Sequence, residues 1–279
     1  MDTKMIQGQE IAAEIKERLR QEVRKRGIVP GLAVILVGDD AESMHYVQLK
    51  QKAVEFIGGR CEIINPSADI SRADLIEHIE QLNQDEKTHG ILVQLPLPGS
   101  LNADEEMVLA SIDVGKDVDG FHPFNQGRLF TGKAQLVSCA ALSCMELLER
   151  CVEPEGKHAV LIGDSMDLIQ PLALLLLARG SRVEIFPEVD GWEEAARRGE
   201  ILVVEKGTPQ MVTADKVREG AVVIDAGFYW EPGKVCGNVD TESVQGTAGW
   251  LAPVPGGIGP VLIAKLLENL VKASSSSTS

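Results

Sequence analysis

Near the start of the chain, apolar residues recur at Ile11, Ile15, Leu19 and Val23, and Gly27 follows. That spacing lines one face of a helix, and the glycine marks its stop. The run GLAVILVG (31–38) is continuously apolar and rich in β-branched residues, which predicts a buried strand. SMHYVQLKQKAVEFIGG (43–59) predicts a helix closed by glycine, and RCEIIN (60–65) a strand. SRADLIEHIEQLNQ (71–84) predicts a helix with Ser71 as N-cap and Asp74 in its first turn. GILVQLPLP (90–98) reads as a strand that breaks at Pro96 and Pro98, and DEEMVLASI (104–112) as a short helix. The turn-rich stretch DVGKDVDGFHPFNQGRL (113–129) predicts a long loop, which in a compact domain is usually functional or a linker. CAALSCMELLERC (139–151) predicts a helix. Strands at 158–163, 181–186, 200–204 and 221–225 then alternate with helices at 167–179, 192–198 and 213–218. APVPGGIGP (252–260) is a second Pro/Gly loop, and VLIAKLLENLVK (261–272) a final amphipathic helix.

Alternation of this kind predicts an α/β fold with parallel sheets covered on both faces. The break in period near 113–138 predicts two lobes with a cleft between them, and ligands bind in such crevices at the carboxyl ends of strands.

Composition narrows the function classes. The 279 residues carry a formal net charge of −15, which argues against nucleic-acid and anionic-membrane partners. The longest apolar run, Leu172 to Ala178, is too short to span a bilayer, and MDTKMIQGQE lacks an apolar signal core. These features predict a cytoplasmic protein. An odd set of five cysteines with no CxxC pair predicts thiols in a reducing compartment, without a disulfide framework or zinc site. The histidines show no metal-ligand spacing, so no metal is expected. The tail SSSSTS, 274–279, predicts a disordered terminus.

Some side chains stand out against this background. Tyr46 and Lys50 lie four residues apart, stacked on one helix face, although by itself such a pair is an ordinary surface feature. Gln94 interrupts a buried strand just before Pro96, and a buried amide needs a partner. Asp117 and Asp119 sit beside Gly120 in KDVDGFHP, which in isolation reads as a turn.

Together, YVQLKQKA (46–53), GILVQLPLP (90–98), KDVDGFHPFNQGRL (116–129), VIDAG (223–227) and PVPGGIGP (253–260) carry a resemblance. In this order they are similar to the methylenetetrahydrofolate dehydrogenase/cyclohydrolase family, in register over roughly residues 4 to 272. The resemblance implies a folate-binding catalytic lobe, residues 1–137 with 256–273, and a Rossmann-type lobe, residues 138–255, that holds NAD(P). It implies that Tyr46 stacks on or orients the folate ring and Lys50 acts on the one-carbon unit. Gln94 tunes that lysine, and Asp119 grips the amine-rich edge of the pterin. A lysine near a cationic methenyl centre has a lowered pKa and can serve as a general base on water. Pro255, Gly256 and Gly257 are expected to let backbone approach the substrate. The family also implies a homodimer.

The second lobe departs from the pattern. Where the family reads G-R-S-x-x-V-G-x-P, this chain reads GDSMDLIQP (163–171), so that Asp164 and Ile169 flank Gly163 and Ser165. Carboxylates repel a diphosphate, and a β-branched side chain blocks its approach. Asp167 adds a negative charge that can cap the helix in competition with phosphate. The basic C-H-S-(R/K)-T run is replaced by FPEVD (186–190), which includes Pro187 and Glu188. P-C-T-P is replaced by SCAA (138–141), A-V-G-K-P by EKGTP (205–209) around Gly207, GDVD by GNVD (237–240), and Met-Thr by Val261-Leu262. These changes predict impaired NAD(P) binding and a folate enzyme limited to methenyltetrahydrofolate hydrolysis. Three alternatives remain: the bifunctional NAD(P)-dependent enzyme, with Glu188 holding an NAD ribose; one-carbon transfer to a second small molecule in the former cofactor cleft; and a silent folate-binding protein. Ile169, Phe186, Phe228, Tyr229 and Trp230 would suit an uncharged ring there.

Overall fold

The computed structural model describes residues 2–231 and 233–276. In chain order the first elements are β1 (Lys4–Met5), α1 (Gly8–Arg26), β2 (Gly31–Ile35), α2 (Ala41–Phe56), β3 (Arg60–Ile64), α3 (Arg72–Gln84) and β4 (Gly90–Val93). A 3-10 turn, Gly99–Asp104, leads into α4 (Glu105–Leu109), α5 (Pro123–Phe130), α6 (Cys139–Glu149), β5 (His158–Ile162), α7 (Ile169–Ala178) and β6 (Arg182–Phe186). Then come α8 (Glu193–Ala196), β7 (Ile201–Val204), a 3-10 turn at Ala214–Lys216, β8 (Val222–Asp225), β9 (Tyr229–Glu231) and β10 (Lys234–Cys236). The chain continues through α9 (Thr241–Val244) and β11 (Trp250–Ala252) to α10 (Ile258–Ser276).

The chain divides into two compact units. Unit 1 comprises Met1–Ala12 and Ser138–Leu262; unit 2 comprises Ala13–Val137 and Ile263–Ser279. Unit 1 is built on a parallel sheet in the order β1-β11-β8-β7-β5-β6. The runs HAVLI, ILVV and VVID lie almost wholly out of solvent, as central parallel strands require. Trp192, Ala195 and Ala196 of the α8 segment pack on Val160, Leu202 and Val223 to close one face. Because β5 pairs with β6 on one side and β7 on the other, the chain reverses direction across the sheet at the carboxyl end of β5.

Unit 2 contains a parallel sheet in the order β3-β2-β4, with Ala33, Ile35, Ile91 and Val93 packed on Leu75 and Ile79 of α3. The outer side of β4 is covered by the chain itself. Ile91 N donates to Lys116 O at 2.8 Å, and Ile91 bridges Asp117 in parallel.

The α/β class holds, with differences in detail. The predicted loop 113–129 contains α5, capped by His122 Nδ1, which accepts from Phe124 N at 3.0 Å, with Pro123 in the first turn. The helix predicted at 213–218 is only a 3-10 turn, and that at 104–112 is split between a 3-10 turn and α4. The strands predicted at 31–38 and 90–98 end at Ile35 and Val93. Ser274–Ser276 are helical in α10, where Ser274 Oγ donates to Val271 O at 2.8 Å, so the terminus is ordered further than expected. The part of the predicted tail from 277 to 279 lies outside the described residues. The division into units also differs from the sequence expectation: residues 2–12 fall with unit 1, and unit 2 resumes at Ile263 rather than 256. Among the described residues no helix is long and apolar enough to cross a membrane.

Candidate active site

In unit 2, α2 begins at Asp40, whose carboxylate accepts from Ser43 N at 2.7 Å. Val47, Val54 and Ile57 are fully buried and fix the rotation of the helix. Tyr46 is left 42% exposed. One turn on, Lys50 Nζ donates to Gln94 Oε1 at 2.7 Å, across 44 residues of sequence. Gln94 is itself held: its backbone N donates to Ile35 O at 2.8 Å, and its Nε2 to Leu95 O at 2.9 Å. Gln94 thus follows the end of β4 half-buried rather than interrupting a buried strand, and its side-chain oxygen has the lysine as partner.

Asp117 and Asp119 have separate fates. Asp117 is 1% exposed and accepts from Gly120 N (3.1 Å), Phe121 N (3.1 Å), His122 N (2.9 Å) and Asn125 Nδ2 (2.8 Å). It builds the turn, and Gly120 completes it at φ 77°. Val118 between them is fully buried, and a Cβ on Gly90 would come within 2.6 Å of its Cγ1, so only glycine fits at the start of β4. Asn269 of α10 ties down the same segment by donating to Val118 O at 2.8 Å and Val137 O at 2.9 Å. Asp119 is half-buried on this fixed turn beside β4.

In unit 1, the turn after β5 is filled. Gly163 has φ 143°, and the space its Cβ would take lies 2.6 Å from Glu205 Oε2 and 2.9 Å from Ile169 Cγ1. Ser165 Oγ donates to Glu205 Oε1 at 2.5 Å and accepts from Leu168 N and Ile169 N, both at 3.2 Å. Gln170 N donates to Ser165 O at 3.0 Å, and Pro171 has no N–H. Capping of α7 thus falls to Ser165, not to Asp167 as expected. Burial pushes the Glu205 carboxyl up, opposed by the Ser165 hydrogen bond and reinforced by Asp167 and Asp164. Lys206 Nζ reaches Pro187 O at 3.0 Å, Asp164 at 3.3 Å and Glu188 at 3.8 Å. Gly207, at φ 134°, lies under Met211, whose Sδ is 2.3 Å from the place of a Cβ.

The apolar residues singled out in this lobe separate into groups. Ile169 is fully buried and Phe186 packs on the core of the sheet, whereas Phe228 and Trp230 are 53% and 69% exposed. Tyr229 Oη donates to Gly207 O at 2.8 Å and accepts from Asn238 Nδ2 at 2.9 Å. Pro255, Gly256 and Gly257 belong to unit 1. Gly257 is in backbone contact, since a Cβ there would lie 2.8 Å from Pro253 O; Gly256, at φ 109°, has open space where a Cβ would be.

Residues 6–119 match the family model described as tetrahydrofolate dehydrogenase/cyclohydrolase, catalytic domain. Residues 138–278 match the corresponding NAD(P)-binding domain. The chain belongs to the tetrahydrofolate dehydrogenase/cyclohydrolase family. It is 46% identical over 273 residues to bifunctional protein FolD 1 of Syntrophomonas wolfei, an alignment that spans 97% of this chain and 98% of that protein. The crystal structure of the FolD dehydrogenase/cyclohydrolase of Campylobacter jejuni superposes with a TM-score of 0.92 at 38% identity, covering 98% of this chain and 99% of that one. The Trypanosoma brucei dehydrogenase-cyclohydrolase, solved with NADP cofactor and inhibitor, gives a TM-score of 0.92 at 32% identity and covers 99% of each chain. This chain is accordingly a folate-dependent one-carbon enzyme, and the family is the one its motifs resemble.

Sequence reasoning missed two members of the unit 1 turn. Glu205 was visible only as a departure within EKGTP, and its meaning comes from β7 lying beside β5. Lys206 supplies a positive charge that FPEVD lacks, from a different strand end.

Proposed function

We propose that the chain acts on methylene- and methenyltetrahydrofolate as a bifunctional dehydrogenase/cyclohydrolase, with Lys50 carrying the hydrolytic step. The observation that supports the hydrolysis most directly is the 2.7 Å bond between Lys50 Nζ and Gln94 Oε1. Gln94 aims the amine and is fixed by its own backbone and side-chain bonds. In its neutral form Lys50 takes a proton from a water molecule as that water adds to the methenyl carbon. The carbon–N5 bond then breaks and N5 takes up a proton, leaving the formyl group on N10. Water is consumed and one proton is released overall. Tyr46 stacks on the folate, and Asp119 accepts from its aminopyrimidinone edge.

The dehydrogenase half rests on the match to the NAD(P)-binding domain and on relatives named as bifunctional. These favour it over hydrolysis alone, the first expectation from the motif departures. In the β5–α7 turn Glu205 and Ile169 lie close over Gly163 and Ser165 Oγ accepts from two helix-start amides, so a diphosphate bound there has to displace these contacts. Assembly as a homodimer, which the family implies, is checked by sedimentation.

Loss of methenyltetrahydrofolate absorbance tests the hydrolytic step. Lys50→Met should lower the rate by about 10²–10⁴, the range general acid–base catalysis supplies. An unchanged rate would remove Lys50 from the mechanism. Appearance of reduced nicotinamide on mixing methylenetetrahydrofolate with NAD⁺ or NADP⁺ tests the other half; its absence with both would leave hydrolysis alone.

A further inference from the structure

The end of unit 1 where a dinucleotide would lie carries an acid cluster with a defined centre. Glu205 leaves the carboxyl end of β7 and reaches across to the turn after β5, a partner 40 residues away. Its Oε2 sits where a Cβ on Gly163 would be crowded to 2.6 Å, and its Oε1 takes the hydroxyl proton of Ser165. The turn itself contributes Asp164 and Asp167, both exposed. From α6, Cys144 is fully buried and feels the Glu205 charge, which adds to the effect of burial in pushing its thiol up. From the same loop as Glu205, Lys206 is bonded away toward Asp164 and Pro187 O, and Glu188 stands 3.8 Å beyond it.

We propose that Glu205 is a proton-operated gate on dinucleotide binding: NAD(P) enters the β5–α7 turn only as this carboxylate takes up a proton. The inference rests on the dinucleotide reading of unit 1 and is independent of Lys50. An ionised Glu205 places a negative charge over the glycine that a diphosphate must approach, where the surrounding apolar side chains screen it poorly. Once protonated, the same group is a hydrogen-bond donor, so it can bond a phosphate oxygen instead of repelling it. Ser165 is then released from its bond to Glu205, and its hydroxyl becomes available to the ligand. The proton comes from solvent, and no covalent bond in the cofactor changes.

The other groups facing Glu205 are told apart by position and by substitution. Asp164 and Asp167 stand exposed on the turn, outside the buried contact with Gly163. Burial holds Cys144 as a thiol, and Lys206 is bonded to Asp164 and Pro187 O. NAD⁺ is the probe of choice because its diphosphate stays ionised throughout, whereas the 2′-phosphate of NADP⁺ has a second pKa of about 6.

The experiment is calorimetric titration of the full chain with NAD⁺ across the neutral and mildly alkaline range, in buffers of different ionisation enthalpy. For the wild type, affinity should fall by about tenfold for each pH unit above the Glu205 pKa, with uptake of about one proton per cofactor bound. Glu205→Gln keeps the size of the side chain and can still bond Ser165; it should bind at least about tenfold more tightly at alkaline pH and lose the slope and the proton uptake. Glu205→Ala should do the same by opening the space over Gly163. Asp164→Asn should shift affinity uniformly and leave the slope intact. Far-ultraviolet circular dichroism confirms that each variant is folded. PH-independent binding by the wild type, unchanged in both Glu205 variants, would overturn the gate and leave the bifunctional reading standing. Failure of every variant to bind NAD⁺ or NADP⁺ at any pH would overturn both, while the Lys50 hydrolysis assay is unaffected by either result.

Discussion

Replacing Gly237 by alanine tests how the carboxyl end of β8 is held. Asp225, the last residue of that strand, is 1% exposed. Its Oδ1 accepts from Gly227 N at 3.0 Å and Asn238 N at 2.9 Å, and its Oδ2 accepts from Val239 N at 2.9 Å. A Cβ on Gly237 would lie 2.0 Å from Oδ2 and 2.3 Å from Cγ. The carboxyl cannot yield by that much and keep its bond to Val239. A hydrogen bond to a charged group contributes about 1.5–3 kcal/mol, and the orphaned buried amide costs about 1–3 kcal/mol more. Gly237→Ala should therefore destabilise unit 1 by about 3–5 kcal/mol. All three tryptophans, Trp192, Trp230 and Trp250, lie in unit 1, so urea denaturation followed by tryptophan fluorescence reads this unit. The matched control is Gly259→Ala, in the same unit. That glycine lies in the first turn of α10, with nothing near the place of its Cβ, and alanine should stabilise the helix by up to about 0.5–1 kcal/mol. A Gly237→Ala variant within about 0.5 kcal/mol of wild type would refute the steric reasoning, since that is the range of neutral surface changes.

Burial pushes the Asp225 carboxyl up to about 6 from 3.8, against the pull of its three amide donors. Between those values the folded state keeps a proton that the unfolded state has released, so stability falls as pH rises through the window and levels off above it. The shift corresponds to about 3 kcal/mol, and denaturation series should show the decline in wild type and not in Asp225→Asn. Asp117→Ala removes the acceptor of three amides and of Asn125, and should lower the melting temperature of unit 2. If Asp119 holds the pterin as proposed, it should also weaken folate binding through displacement of Asp119, measured by calorimetry. A variant with wild-type melting and affinity would show that the turn holds without Asp117.

The parts of the fold that periodicity reveals are those in which one pattern decides burial. GLAVI, HAVLI, ILVV and VVID are read as strands because they are buried on both faces. Val47, Val54 and Ile57 mark the inner face of α2 for the same reason. α5 escaped because its eight residues include Pro123, Gly127 and Asn125, a composition that reads as a loop. Its helix depends on the His122 cap and on Asn125 bonding Asp117 and Val114 O, contacts made by the fold rather than by propensity. The two-residue β1 is set by pairing with β11, which no local pattern announces. At the site, Gln94 was legible because a polar residue at the end of an apolar run demands a partner, whereas Lys50 and Asp119 stood out only through the family resemblance. That Asp117 builds the turn was not legible, since both acids sit in one Asp-rich stretch and burial sets Asp117 apart.

The same distinction explains why the cofactor turn needs its three-dimensional neighbours to be understood. A reading along the chain finds GDSMDLIQP and weighs Asp164, Asp167 and Ile169 as local offences against a phosphate. In the sheet, the residue that follows β7 is beside the residue that follows β5, because the two strands are paired through Val204 and Ile162. Glu205 thereby reaches Gly163 and Ser165 more intimately than Asp164 does, although Asp164 is adjacent in sequence: Asp164 is half-exposed and faces Lys206, whereas Glu205 is drawn inward. Burial pushes the inner carboxyl up, whereas the outer ones stand exposed to solvent. A single substitution at the end of β7 can thus set the conditions for cofactor entry. The hydrolysis proposed at Lys50, which would consume only water, would make no demand on a bound dinucleotide.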